Sequence, residues 1–135
     1  MSERIFVDSS AYYALTDVRD QNHAAAVITV WRLAREGNEL HTSNFVLAET
    51  HGLILNRLNR DIAERVLDET CAGATKIIRL LERDETQARE IIHQNKDKEY
   101  SLVDASSFAL MQRLHIRVAW TYDQHFEQFG FRRIM

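Results

Sequence analysis

The sequence predicts an α/β fold, a three-layer sandwich with a mainly parallel central sheet. Two observations carry that expectation. The run Ile5–Val7 is apolar on consecutive residues, as a parallel strand covered on both faces should be. Short strand-like runs then alternate with helix-like stretches along the chain, which implies right-handed crossovers between parallel strands.

The elements follow in order. Helical signals succeed the first strand at about 10–15 and again at 21–36, ending near Gly37. Residues 39–42 read as a short strand, after which Ser43 or Asn44 caps a helix to about Leu58. Asp61–Ala72 is a further helix, and Thr75–Leu81 is a strand rich in β-branched residues. Helices are expected at 84–95 and 102–115, a strand at 117–122, a helical turn at 124–128 and a last strand at 131–134. In such sheets ligands bind beyond the carboxyl ends of the strands, so that edge is where function is sought.

The length of 135 residues fits a single domain over 1–135, large enough to bury about two-thirds of its unfolded surface. Apolar residues make up 45% and charged residues 27%, an ordinary globular balance. No uncharged stretch approaches the roughly 18 residues of a membrane span, and the N-terminal sequence lacks a basic region followed by an apolar core. The lone cysteine, Cys71, excludes an internal disulfide framework and fits a reducing cytoplasm. A net charge of −3 argues against a protein that coats nucleic acid, but not against a nuclease whose own site is acidic.

Four acids stand in positions that ask for a reason. Asp8 ends the first strand, in "RIFVDSSAYYAL", and Asp123 ends another, in "VAWTYDQHF"; each can cap the turn that follows. Glu49 is the only acid in "SNFVLAETHGLILNR", a helix apolar on most sides, where an ionised carboxylate needs an arginine such as Arg57 or a bound cation. Asp104 follows Ser101 by three residues, the spacing of a capping box, and also shares a stripe with Phe108 and Met111. Each acid has a local explanation; together they can meet at one sheet edge. Carboxylates about 4 Å apart repel by roughly 4 kcal/mol per pair at an effective dielectric near 20. An all-oxygen cluster of that kind selects Mg²⁺ or Mn²⁺ over zinc.

These residues carry a resemblance. "IFVDSSAYYAL", "TSNFVLAET", "YSLVDASSFALMQRLHI" and "AWTYDQHFEQFGF" are similar, in order and spacing, to the segments of a PIN domain of the VapC-like toxin ribonucleases. The stretch that begins at Asp17, "DVRDQNHAAA", resembles the family's approach to its second helix. The resemblance covers nearly the whole chain and implies a Mg²⁺-dependent endoribonuclease (with Mn²⁺ as the substitute ion) that hydrolyses RNA phosphodiester bonds. The family's catalytic and metal-binding acids fall on Asp8, Glu49, Asp104 and Asp123, and its supporting hydroxyls on Ser10 and Thr121. Asp97 matches an acid often found before the third, but a solvated loop charge is the favoured reading of it. The resemblance also implies a small antitoxin partner, a homodimer and a cytoplasmic location. Lys96 and Lys98, in the loop before the Asp104 helix, are the expected substrate contacts.

Other chemistries fit less well. The six histidines show no H-x₃-H spacing and Cys71 has no partner, which disfavours zinc; His125, two residues after Asp123, could touch the site, but packing beside Phe126 is favoured. Ser10 stands where a haloacid-dehalogenase-type phosphatase wants its second aspartate. The four glycines, at 37, 52, 73 and 130, make no phosphate-cradling loop. The paired acids and strand-end lysine of a receiver domain are not evident. The alternative from another class is an inactive PIN-like module that binds RNA or protein.

Overall fold

The computed structural model describes residues 2–135. Five strands, β1 (Arg4–Val7), β2 (Glu39–Ser43), β3 (Lys76–Ile78), β4 (Val118–Trp120) and β5 (Arg132–Ile134), form one sheet in the order β3-β2-β1-β4-β5. Every neighbouring pair runs parallel, with Phe6 opposite His41 on one side and Ala119 on the other. Seven helices connect them: α1 (Ser9–Thr16), α2 (His23–Arg35), α3 (Asn44–Arg57), α4 (Arg60–Ala72), α5 (Glu82–Gln94), α6 (Leu102–Leu114) and α7 (His125–Phe129).

The strand period of two divides the core into two apolar layers. Phe6 and Ala119 pack against Val46 of α3, Ala88 and Ile91 of α5, and Phe108 and Met111 of α6. Ile5, Val7, Val118 and Trp120 face the other way, against Ala11 and Ala14 of α1 and Ala26 and Leu33 of α2. Helices therefore cover both faces, which is why the strand residues are apolar without alternation. The sheet is parallel throughout the described residues, a stricter arrangement than a mainly parallel one.

Element boundaries shift for local reasons. The β-branched run 75–81 yields only the three residues of β3, because Leu80 N–H donates to Asn44 Oδ1 at 3.0 Å and Leu81 N–H to Asp84 Oδ2 at 2.8 Å. Those bonds turn the chain into α5 two residues earlier than the periodicity implies. Ser43, rather than Asn44, caps α3 by accepting from Val46 N–H at 3.0 Å.

Asp84 also ties α5 to α6. It is 2% exposed and accepts from Arg113 Nε at 2.7 Å and Nη2 at 2.9 Å, a bidentate pair. Burial pushes its carboxyl pKa up, but the Arg113 and Leu81 bonds outweigh that and hold it below the usual range. Removing the guanidinium strands a buried charge. Arg113→Met is therefore expected to destabilise the fold by about 3 kcal/mol in denaturant titration, and the double variant Asp84→Leu/Arg113→Met by less. A single variant as stable as the parent would contradict this account of the α5–α6 contact.

Candidate active site

The carboxyl edge is built from the ends of β1 and β4 and the first turns of the helices around them. Asp8 follows β1 directly; its N–H donates to Trp120 O at 3.1 Å, so the sheet fixes where its side chain starts. One carboxylate oxygen, Oδ2, accepts from Ser10 Oγ at 2.8 Å and from Thr121 Oγ1 at 2.9 Å, and Ser10 N–H lies 3.5 Å away as the α1 cap. Cap and clustered acid are thus one and the same residue. The two hydroxyls also lie 3.2 Å apart, and Ser10 Oγ accepts from Tyr122 N–H at 2.9 Å, so each is itself oriented.

Glu49 projects from the second turn of α3 and accepts from Ser9 Oγ rather than from an arginine. Asp104 completes the capping box with Ser101: Asp104 N–H donates to Ser101 Oγ at 3.0 Å, and Ser101 N–H to Asp104 Oδ2 at 3.2 Å. Asp123 sits in the turn after β4, where its N–H donates to Thr121 Oγ1 at 3.0 Å and its Oδ1 accepts from His125 N–H at 2.9 Å. His125 Nδ1 lies 3.0 Å from Asp104 Oδ2 and 3.4 Å from Asp123 Oδ1.

All four acids line one cavity of about 430 Å³, together with Ser9, Ser10, Tyr13, Leu53, Arg57 and His125. Two further acids, Asp20 and Glu99, stand on its wall. Crowding shows in the titration of the group. Burial pushes the Asp8 carboxyl up to about 6, the Ser10 and Thr121 bonds oppose this, and the charges of Asp104 and Glu49 add to it. Glu49 is likewise raised by burial, against the Ser9 bond, with Asp104 and Asp123 contributing.

The donor set suits a hard divalent cation. Carboxylate or imidazole atoms of Asp104, Asp123 and His125 lie within 4.8 Å of one another, and Asp8 and Glu49 open onto the same space. Carboxylates dominate this set, which matches Mg²⁺ or Mn²⁺ rather than a thiolate-seeking ion.

The structure adds to the sequence reading at some positions and places others away from the cavity. His125 packs edge-on to Tyr100, with ring centroids 5.3 Å apart, but its Nδ1 also reaches the acids. The signal was its place two residues after Asp123. Asp20 and Glu99 reach the cavity through the path of their loops, which no local motif encodes, whereas Arg57 reaches it on the same α3 stripe as Glu49. Lys96 and Lys98 lie outside the cavity lining, and Lys98 pairs with Asp97 at 3.3 Å. Asp97 is itself a largely exposed loop charge.

A raised carboxyl carries a stability consequence whose sign is fixed by linkage. Because the folded pKa of Asp8, about 6, exceeds the ordinary 3.8, the metal-free fold loses stability as pH rises from about 4 through 6. The loss at neutral pH is on the order of 3 kcal/mol at 1.36 kcal/mol per unit. Asp8→Asn should therefore raise the Tm of the metal-free protein at pH 7.5 and leave it nearly unchanged at pH 4. A fall in Tm at pH 7.5 would contradict the burial of an ionised Asp8.

The chain's relatives share this architecture. The PIN domain family model matches residues 5–132. The 23S rRNA-specific endonuclease VapC20 of Mycobacterium tuberculosis is 33% identical over 127 residues, covering 94% of this chain and 95% of that protein. Ribonuclease VapC26 of the same organism is 28% identical over 123 residues, covering 90% and 89%. The crystal structure of VapC20, a sarcin-ricin loop cleaving toxin, superposes with a TM-score of 0.86 at 32% identity, over 94% of this chain and 95% of that one. VapBC-1 from nontypeable Haemophilus influenzae superposes with a TM-score of 0.69 at 14% identity over 97% and 96%, a likeness of fold alone. A parallel sheet that gathers its acids at the carboxyl edge, in a chain alignable with VapC20 over nearly its whole length, belongs to the PIN domain family and is VapC-like within it.

Proposed function

We propose that the chain is a divalent-metal-dependent endoribonuclease and the toxin of a VapBC-type toxin–antitoxin pair. One observation supports this above the rest: Asp8, Glu49, Asp104 and Asp123, from four separate segments, open onto a single cavity. The names of its relatives, an endonuclease and a ribonuclease, point the same way.

In this reading the four acids hold Mg²⁺, or Mn²⁺ in its place, directly or through water. The ion supplies Lewis-acid chemistry, acidifying water and neutralising charge on phosphate oxygens. The remaining work belongs to the side chains. Ser10 and Thr121 hold one oxygen of Asp8 and leave the other free for the cavity. Ser9 turns Glu49 toward the same space. His125 links Asp104 to Asp123, with Nδ1 at 3.0 Å from the first carboxylate and 3.4 Å from the second. The N-terminus of α1 adds a positive dipole end next to Asp8, suited to an RNA phosphate. No nucleophilic side chain is required. Lys96 and Lys98 serve the RNA beyond the cavity, as exposed loop charges do.

The 33% identity to VapC20 makes structured ribosomal RNA the first substrate to test, with messenger and transfer RNA as comparisons. An antitoxin also has a place to bind. A second cavity of about 470 Å³ is lined in part by Leu15, Val30, Ile62 and Val66, and α2 also carries Ile28 and Trp31, which are 68% and 70% exposed. Such an apolar surface suits an amphipathic segment of a partner. Homodimerisation and action in the cytoplasm complete the reading.

Cleavage of an RNA mixture should require Mg²⁺ or Mn²⁺ and stop when EDTA is added. Asn in place of Asp8, Asp104 or Asp123, or Gln in place of Glu49, should lower the rate at least roughly 100-fold with a cooperative melt retained. Ser10→Ala, which loosens Asp8, and Thr121→Val, which loosens Asp8 and the turn that carries Asp123, should each cost about 10-fold. Full activity in Asp8→Asn, or cleavage unaffected by EDTA, would overturn the assignment.

A further inference from the structure

Six acids line or border the cavity, yet a nuclease must draw a polyanion into it. Among the described residues Arg57 is the one lysine or arginine on the cavity wall. It lies on the Glu49 stripe of α3, at i, i+4 and i+8 with Leu53 between them, and both of these also line the cavity. Two helical turns separate Glu49 from Arg57, about 12 Å along the axis.

The arginine is held rather than loose. Its Cζ lies 5.1 Å from the centroid of the Tyr13 ring, a cation–π distance. Tyr13 is 9% exposed and donates its hydroxyl to Asp17 Oδ2 at 2.7 Å. Asp17 in turn accepts from Arg19 N–H at 3.0 Å and pairs with its guanidinium at 3.7 Å. The charge of Asp17 is thereby met from the α1–α2 turn, and Arg57 forms no ion pair among the described residues. An exposed guanidinium fixed over an aromatic ring, beside an acidic pocket, and with no carboxylate of its own is prepared for an anion supplied from outside.

We propose that Arg57 is a substrate-positioning residue: stacked on Tyr13, its guanidinium takes a phosphate of the RNA strand flanking the one that is cut. The inference rests on the nuclease reading above and adds a subsite to it. Its distance from the acids places it on a neighbouring phosphate, so it contributes to binding and register and not to the bond-breaking step. Tyr13 sets the plane of the guanidinium, and Asp17 sets the plane of Tyr13.

Two measurements test this separately from the nuclease assignment. In the first, a labelled single-stranded RNA is bound to the Asp8→Asn protein in Mg²⁺, by fluorescence anisotropy over a salt series. Adding Arg57→Gln should weaken binding about 10-fold and reduce the log–log salt slope by about 0.7, the value for one phosphate contact on a single strand. Arg57→Lys should keep the slope and lose part of the affinity, because the charge remains and the planar fork does not. In the second, Arg57→Gln in the otherwise native chain should raise KM about 10-fold with kcat within about two-fold, and Tyr13→Phe should raise KM less. An unchanged salt slope, absence of RNA binding in the parent, or a fall in kcat with KM unchanged each overturns the subsite. Parent protein that binds RNA but never cuts it overturns the nuclease reading instead, while the anisotropy series still decides Arg57.

Discussion

Carboxylates that share one low-dielectric cavity repel one another, and the rest of this fold is arranged around bearing that repulsion. Asp8 is the centre of the problem. It is 3% exposed, it follows the central strand, and Asp104 and Glu49 act on it from two helices. Two hydroxyls and a helix N-terminus hold it in place, but three neutral donors do not balance several negative charges. In the proposed reading a divalent cation completes this geometry, and stability is spent to keep the acids together.

The scaffold meets this demand with rigidity. β1 occupies the middle of five parallel strands, so Asp8 emerges from the most constrained segment of the chain. The Thr121 hydroxyl bridges β4 to Asp8 while its oxygen receives Asp123 N–H, and one side chain thus positions two acids. Asp104 is fixed by its own capping box. Local devices that begin or end secondary structure double as the means of aiming functional groups, which is why Asp8, Asp104 and Asp123 also read as ordinary caps.

Much of this was legible in the sequence, and the legible part has a common cause. The strand Ile5–Val7, the acids that stop strands and the Ser101–Asp104 box are all local patterns, set by residues within a few positions of one another. The shortened β3 was not legible, because Asn44 and Asp84 compete for its amides from elsewhere in the chain or from the next helix. Nor was the partner of Glu49. The sequence leaves a choice between an arginine and a cation, whereas the fold brings Ser9, 40 residues away, to the carboxylate and turns Arg57 onto Tyr13. Contacts of that kind depend on how α1 lies against α3, which periodicity does not determine. A buried acid that an arginine does neutralise is Asp84 of α5, paired with Arg113 of α6, a contact between helices that no local pattern announces.

Calorimetric titration of Mn²⁺ into the metal-free protein at neutral pH tests the central claim most directly. Saturable binding that is strongly weakened by Asp104→Asn and by Glu49→Gln, substitutions on different helices, is the predicted result. Absence of saturable binding, or affinity indifferent to both substitutions, would show that the gathered acids do not act as one cation site.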